Sequence, residues 1–74
     1  MRLTSEQKTF IYFVKSIEEI TEKNIEEIGH ALKIGSKRIW PLVRGEAQPR
    51  LAEGKRVIGL WCVLQIKNKE IKNA

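Results

Sequence analysis

A single cysteine in 74 residues, Cys62, leaves no internal disulfide to form and no cysteine-based metal site to close. Such a residue is expected as a small buried hydrophobe, in a protein of the reducing cytoplasm. His30 is the only histidine and is expected to face outward, without a metal role. Nowhere does an apolar run approach the roughly 18 residues that suggest a membrane span. The opening MRLTSEQK lacks the basic-then-apolar layout of a secretory signal. No Ser/His/Asp or Cys/His constellation and no glycine-rich phosphate loop is visible, so neither an enzyme nor a cofactor is expected.

What is present is an ordinary globular composition, 42% hydrophobic and 31% charged, which points to one ordered domain over residues 1–74 with a thin core. The net charge of +5 is unevenly spread. Residues 1–32 carry four basic and six acidic side chains, whereas residues 33–74 carry ten basic and three acidic. Clustered Lys and Arg attract phosphates by counterion release, whatever the base sequence. On charge alone a solvated, lysine-rich face is as good a reading as a surface for double-stranded DNA; what the positive half coincides with along the chain has to decide between them.

Thr4-Ser5-Glu6-Gln7 reads as a capping box, a hydroxyl followed three residues later by a side chain able to reach back. Phe10, Phe13, Val14, Ile17 and Ile20 then fall on one face of a helix, expected as core. Lys23-Asn24 marks a break, with Asn24 as the cap of a second helix; one continuous helix from Ser5 to Lys33 is the alternative. In that second helix Ile25, Ile28 and Leu32 recur at helical spacing. Ile34-Gly35-Ser36 interrupts, and Ile39, Leu42 and Val43 resume the pattern. Residues 25–45 thus read as two short helices about a tight turn, a helix-turn-helix. Gly29 fits this reading, because a mid-helix glycine costs about 1 kcal/mol against alanine and close approach of the next helix supplies a reason.

After Arg44 the stretch Gly45-Glu46-Ala47-Gln48-Pro49 reads as a loop. From Leu51 to Ile66 two readings stay open. A helix beginning near Pro49 is favoured; a β-hairpin from about 50 to 65, turning at Glu53-Gly54, is the alternative. Val57 to Leu64 is too continuously apolar for periodicity to decide. So dense an apolar segment on a thin domain is expected to be buried in part by a second copy, giving a homodimer. Residues 67–74, KNKEIKNA, read as a polar, fraying tail.

EIGHALKIGSKRIWPLVRG, residues 27–45, resembles the helix-turn-helix of the Cro and phage-repressor family. Gly29 matches the family's small residue, and Ile28, Leu32, Ile34, Ile39 and Leu42 match its apolar positions. Arg44-Gly45 followed by Pro49 matches the end of its recognition helix. The resemblance implies an all-α domain of four to five helices, lambda-repressor-like. Its function would be that of a small transcriptional regulator from a phage or mobile element, setting the helix at about 36–44 in the major groove. Three positions depart from the family. Lys33 stands at the usual turn glycine, with Gly35 nearby to serve instead. Ile25 replaces a polar, phosphate-contacting residue. Pro41 falls inside the recognition helix, where a kink is expected if Ser36 is the cap.

SKRIWPLVRGEAQPRLAEGKRVI is also similar to excisionases and small MerR-type regulators, which carry a basic β-hairpin wing, and this implies a winged helix-turn-helix as the alternative fold. In the repressor-like reading Ser36, Lys37, Trp40 and Arg44 project toward DNA, with Lys37 as the candidate for a guanine edge. Arg38 and Arg44 are candidates for phosphates, and Lys33, Arg50, Lys55 and Arg56 for further backbone contacts. Trp40 has two open roles, touching thymine methyls or sugars, or joining the core. A protein-binding, antirepressor-like module using residues 57–64 is the competing function.

Overall fold

Thr4 begins the first helix by accepting a hydrogen bond from the Gln7 backbone amide at 3.2 Å, while Gln7 Oε1 accepts from the Thr4 amide at 2.8 Å. In the computed structural model, which describes residues 2–73 (70–73 by backbone alone), this capping box starts α1, Ser5–Thr21. Two otherwise orphaned amides are satisfied at once. Gln7 does more than cap: its Nε2 donates to the carbonyls of Gly45 and Ala47 at 3.1 and 3.2 Å, tying the start of α1 to the loop 38 residues further on.

α1 stops at Glu22, which turns left-handed at φ 59°. The break at Lys23-Asn24 is real, and the continuous helix to Lys33 does not form. Asn24 Oδ1 accepts from the Glu27 amide at 2.9 Å, and Glu27 Oε1 accepts in return from the Asn24 amide at 3.3 Å. This second capping box opens α2, Ile25–Ala31. The turn that follows corrects the expectation about glycine. Gly35 sits at φ −63°, and Lys33 itself takes the left-handed conformation at φ 60°. The Ile34 amide closes the turn onto the Gly29 carbonyl at 2.7 Å.

Helix α3, Ser36–Arg44, starts from Gly35 with no side-chain cap, so Ser36 is its first residue and not its cap. Pro41 lacks the amide that would bond to Lys37, yet the helix runs on through it to Arg44. Gly45 at φ 79° ends it, with the Glu46 amide reaching back to the Pro41 carbonyl at 2.9 Å, a Schellman termination.

Leu51–Asn73 forms one helix of 23 residues, α4. This overturns the β-hairpin alternative over 50–65, and with it the winged fold: no strand occurs among the described residues. The polar stretch expected to fray is also helical through Asn73, and Ala74 lies outside the described residues. The described residues form an all-α domain of four helices. No helix among the described residues is long and apolar enough to cross a membrane.

One core joins the helices. Phe10, Val14 and Ile17 of α1 meet Ile25 and Ile28 of α2, Leu32 and Ile34 of the turn, Ile39 and Leu42 of α3, and Val57 of α4. Phe13 and Trp61 add an edge-to-face pair between α1 and α4, with ring centres 5.0 Å apart. Gly29 is buried where α2 meets α3: a Cβ there would lie 3.0 Å from the Ile34 carbonyl oxygen and from two Ile39 carbons. The close approach inferred from the sequence is present.

On its inner side α4 packs Leu60, Trp61 and Leu64 against the core. Cys62, Val63 and Ile66 are exposed on its outer side and Ile58 beside the α1–α4 groove, so Cys62 is not the buried hydrophobe expected of it.

Candidate nucleic-acid interface

α3 has two chemically distinct sides. Ile39 and Leu42 are fully buried, while Ser36, Lys37, Trp40 and Arg44 recur at helical spacing on the exposed side. Lys33 is exposed in the turn just before them. The Arg44 guanidinium lies over the Trp40 ring, 5.6 Å from its centre, within range of a cation–π attraction. Trp40 is 36% exposed and its Nε1 donates to Glu26 Oε1 at 3.4 Å, which places it at the surface between α2 and α3 instead of in the core.

Arg38 is placed differently from the role the sequence suggested. It lies on the Leu42 side of α3, and its guanidinium holds the start of α4. Nε donates to Glu53 Oε2 at 2.9 Å, and Nη2 donates to Glu53 Oε1 at 2.8 Å and to the Gln48 carbonyl at 2.9 Å. Glu53 also accepts from the Arg50 amide at 2.8 Å, so this buried carboxylate caps α4 and locks it to α3. Arg38 therefore spends its Nε and Nη2 on holding α4 to α3. It forms the only ion pair among the described residues, which leaves Lys33, Lys37 and Arg44 without a carboxylate partner.

The Arg38 guanidinium holds the Glu53 carboxyl below its ordinary value of 4.5, against the opposing effect of burial, with help from the Arg50 amide. Glu53 in turn raises Arg38. A lowered carboxylate contributes stability above its unfolded value and loses it as pH falls through the folded value. Glu53→Gln is accordingly expected to cost about 1–3 kcal/mol near neutral pH. Urea midpoints of the two proteins should converge as pH drops below 4.5; a constant gap across the acid range would contradict the role given to the ionised carboxylate.

Arg50, Lys55 and Arg56 are exposed, but they belong to the start of α4 and not to the α2–α3 surface. Arg50 and Lys55 border an open groove of about 480 Å³ between α1 and α4, floored by Phe10, Phe13 and Val57. The nine residues singled out from the sequence thus divide into a cluster (Lys33, Ser36, Lys37, Trp40, Arg44), a second basic group at the start of α4, and Arg38, half-buried in the contact between α3 and α4. Glu26 is the member the sequence did not reveal. Its approach to Trp40 arises only when α2 packs on α3, and nothing local in the chain signals it.

Comparison with known proteins finds no matching family model, no similar curated protein and no similar solved structure.

Proposed function

We propose that this protein is a sequence-specific binder of double-stranded DNA, a helix-turn-helix regulator of phage or mobile-element type acting in the cytoplasm, with α3 in the major groove. The observation that carries this is the two-sidedness of α3: its inner side is sealed by Ile39 and Leu42, while Lys37 and Arg44 project outward unpaired, with Trp40 between them. A nine-residue helix spans about 13 Å and is about 10–12 Å across, dimensions that suit a groove about 12 Å wide. The likeness of residues 27–45 to phage repressors supports the same reading. Titration of a labelled random duplex across a salt series tests it, with steep weakening in salt as the expected result and no binding at low salt as the contrary one.

One short helix reads few base pairs, so a two-fold pair of domains is part of this proposal. Val57, Leu60, Trp61 and Leu64 are turned toward the core, and the surface left for a second copy is Ile58, Cys62, Val63 and Ile66. Sedimentation equilibrium is expected to show a dimer that Ile66→Glu dissociates. A monomer at every concentration would confine each protein to a single half-site.

A further inference from the structure

Glu26 stands on α2, yet its side chain reaches the face assigned to DNA where α2 meets α3, accepting there from Trp40 Nε1 at 3.4 Å. Arg44 covers the same indole ring. Three side chains of different chemistry (acid, aromatic, cation) therefore meet across α2 and α3. A carboxylate facing a polyanion opposes binding, so its presence on this face calls for a reason.

The hydrogen-bonding inventory supplies one. An indole nitrogen is a donor only, and here it is spent on Glu26. What Trp40 keeps for a ligand is apolar ring surface, which suits a thymine methyl. Glu26 Oε2 has no partner among the described residues and remains an acceptor. In the major groove a lone acceptor matches the cytosine N4 amino group, whereas a guanine edge, with two acceptors, repels it. Arg44 keeps a positive charge beside the pair, which offsets the repulsion between the carboxylate and nearby phosphates.

We propose that Glu26, oriented by Trp40, is a specificity-determining residue that selects cytosine in the major groove next to a thymine touched by the Trp40 ring. The proposal rests on the DNA-binding reading given above. Glu26 is exposed and makes no core contact, so changing it should alter which base is preferred and not whether the chain folds.

Selection from a randomised duplex pool, run in parallel on the wild type and Glu26→Gln, is the test. The wild type is expected to enrich cytosine at one position, and the Gln variant to enrich adenine there, since an amide pairs with adenine N6 and N7. On fixed duplexes the cytosine-to-guanine change, which replaces the amino donor by two acceptors, should weaken the wild type about ten-fold or more. Trp40→Phe, which removes the donor orienting Glu26, should reduce the cytosine preference without replacing it. Enrichment of the same base by the wild type and Glu26→Gln would overturn the assignment while leaving DNA binding intact. Failure of the wild type to bind any duplex would overturn both.

Discussion

Gly29→Val is expected to destabilise the protein by about 3 kcal/mol or more, a large share of what a domain this size holds in total. In most helices replacing glycine stabilises, because glycine forfeits the most conformational freedom on folding. Here the first added carbon already meets the Ile34 carbonyl oxygen and the Ile39 side chain at 3.0 Å. Ile39 is fully buried, and the Ile34 backbone is fixed by its own hydrogen bond to the Gly29 carbonyl. Neither neighbour has room to retreat, and the two γ carbons of valine enlarge the overlap. Relief can come only by moving α3 away from α2, which would open the core at Ile28 and Leu42 as well. Gly54→Ala is the control. It is also a helical glycine, but a Cβ there meets nothing within 4 Å, so this change should stabilise by up to about 1 kcal/mol. Urea unfolding followed by circular dichroism measures both. If the two substitutions shift stability in the same direction, steric closeness at Gly29 is not what the glycine serves.

The features that were legible in the chain are those decided locally. Thr4 with Gln7, and Asn24 ahead of α2, act through amides only three residues away, so their spacing announced them. Gly29 was legible because a mid-helix glycine needs a neighbour to explain it. The fate of residues 51–66 was not. Val57, Leu60, Trp61 and Leu64 form a helical inner stripe, but Ile58, Val63 and Ile66 add apolar residues outside that stripe, and together they erase the period. Arg38 and Cys62 were misplaced for a related reason. Whether a charged or small residue on a short helix points to solvent depends on where the next helix lies. That is set by contacts such as Arg38 with Glu53, fifteen residues apart. The turn also kept its shape without the expected glycine, since Lys33 takes the left-handed conformation at a cost of roughly 1–2 kcal/mol that the buried Leu32 and Ile34 on either side offset.

Affinity for a random duplex is expected to fall roughly 10²–10³-fold between 50 and 200 mM salt, if about four to six phosphates are neutralised. Among the candidate contact residues six are exposed cations: Lys33, Lys37, Arg44, Arg50, Lys55 and Arg56. Arg38 does not contribute, because its charge is already paired with Glu53. Individual substitutions should then separate by role. Arg50→Ala, at the start of α4, should weaken every duplex about equally and reduce the salt slope by about 1. Lys37→Ala, on the exposed side of α3, should instead narrow the gap between a selected and a random sequence. Equal losses from both variants on both duplexes would remove the distinction between a positioning cation and a base-reading one. A flat salt response would go further, because unpaired Lys and Arg cannot bind phosphates without releasing counterions. The α2–α3 pair would then be a scaffold only. The exposed apolar residues of α4, from Ile58 to Ile66, would remain as the surface on which a protein partner acts.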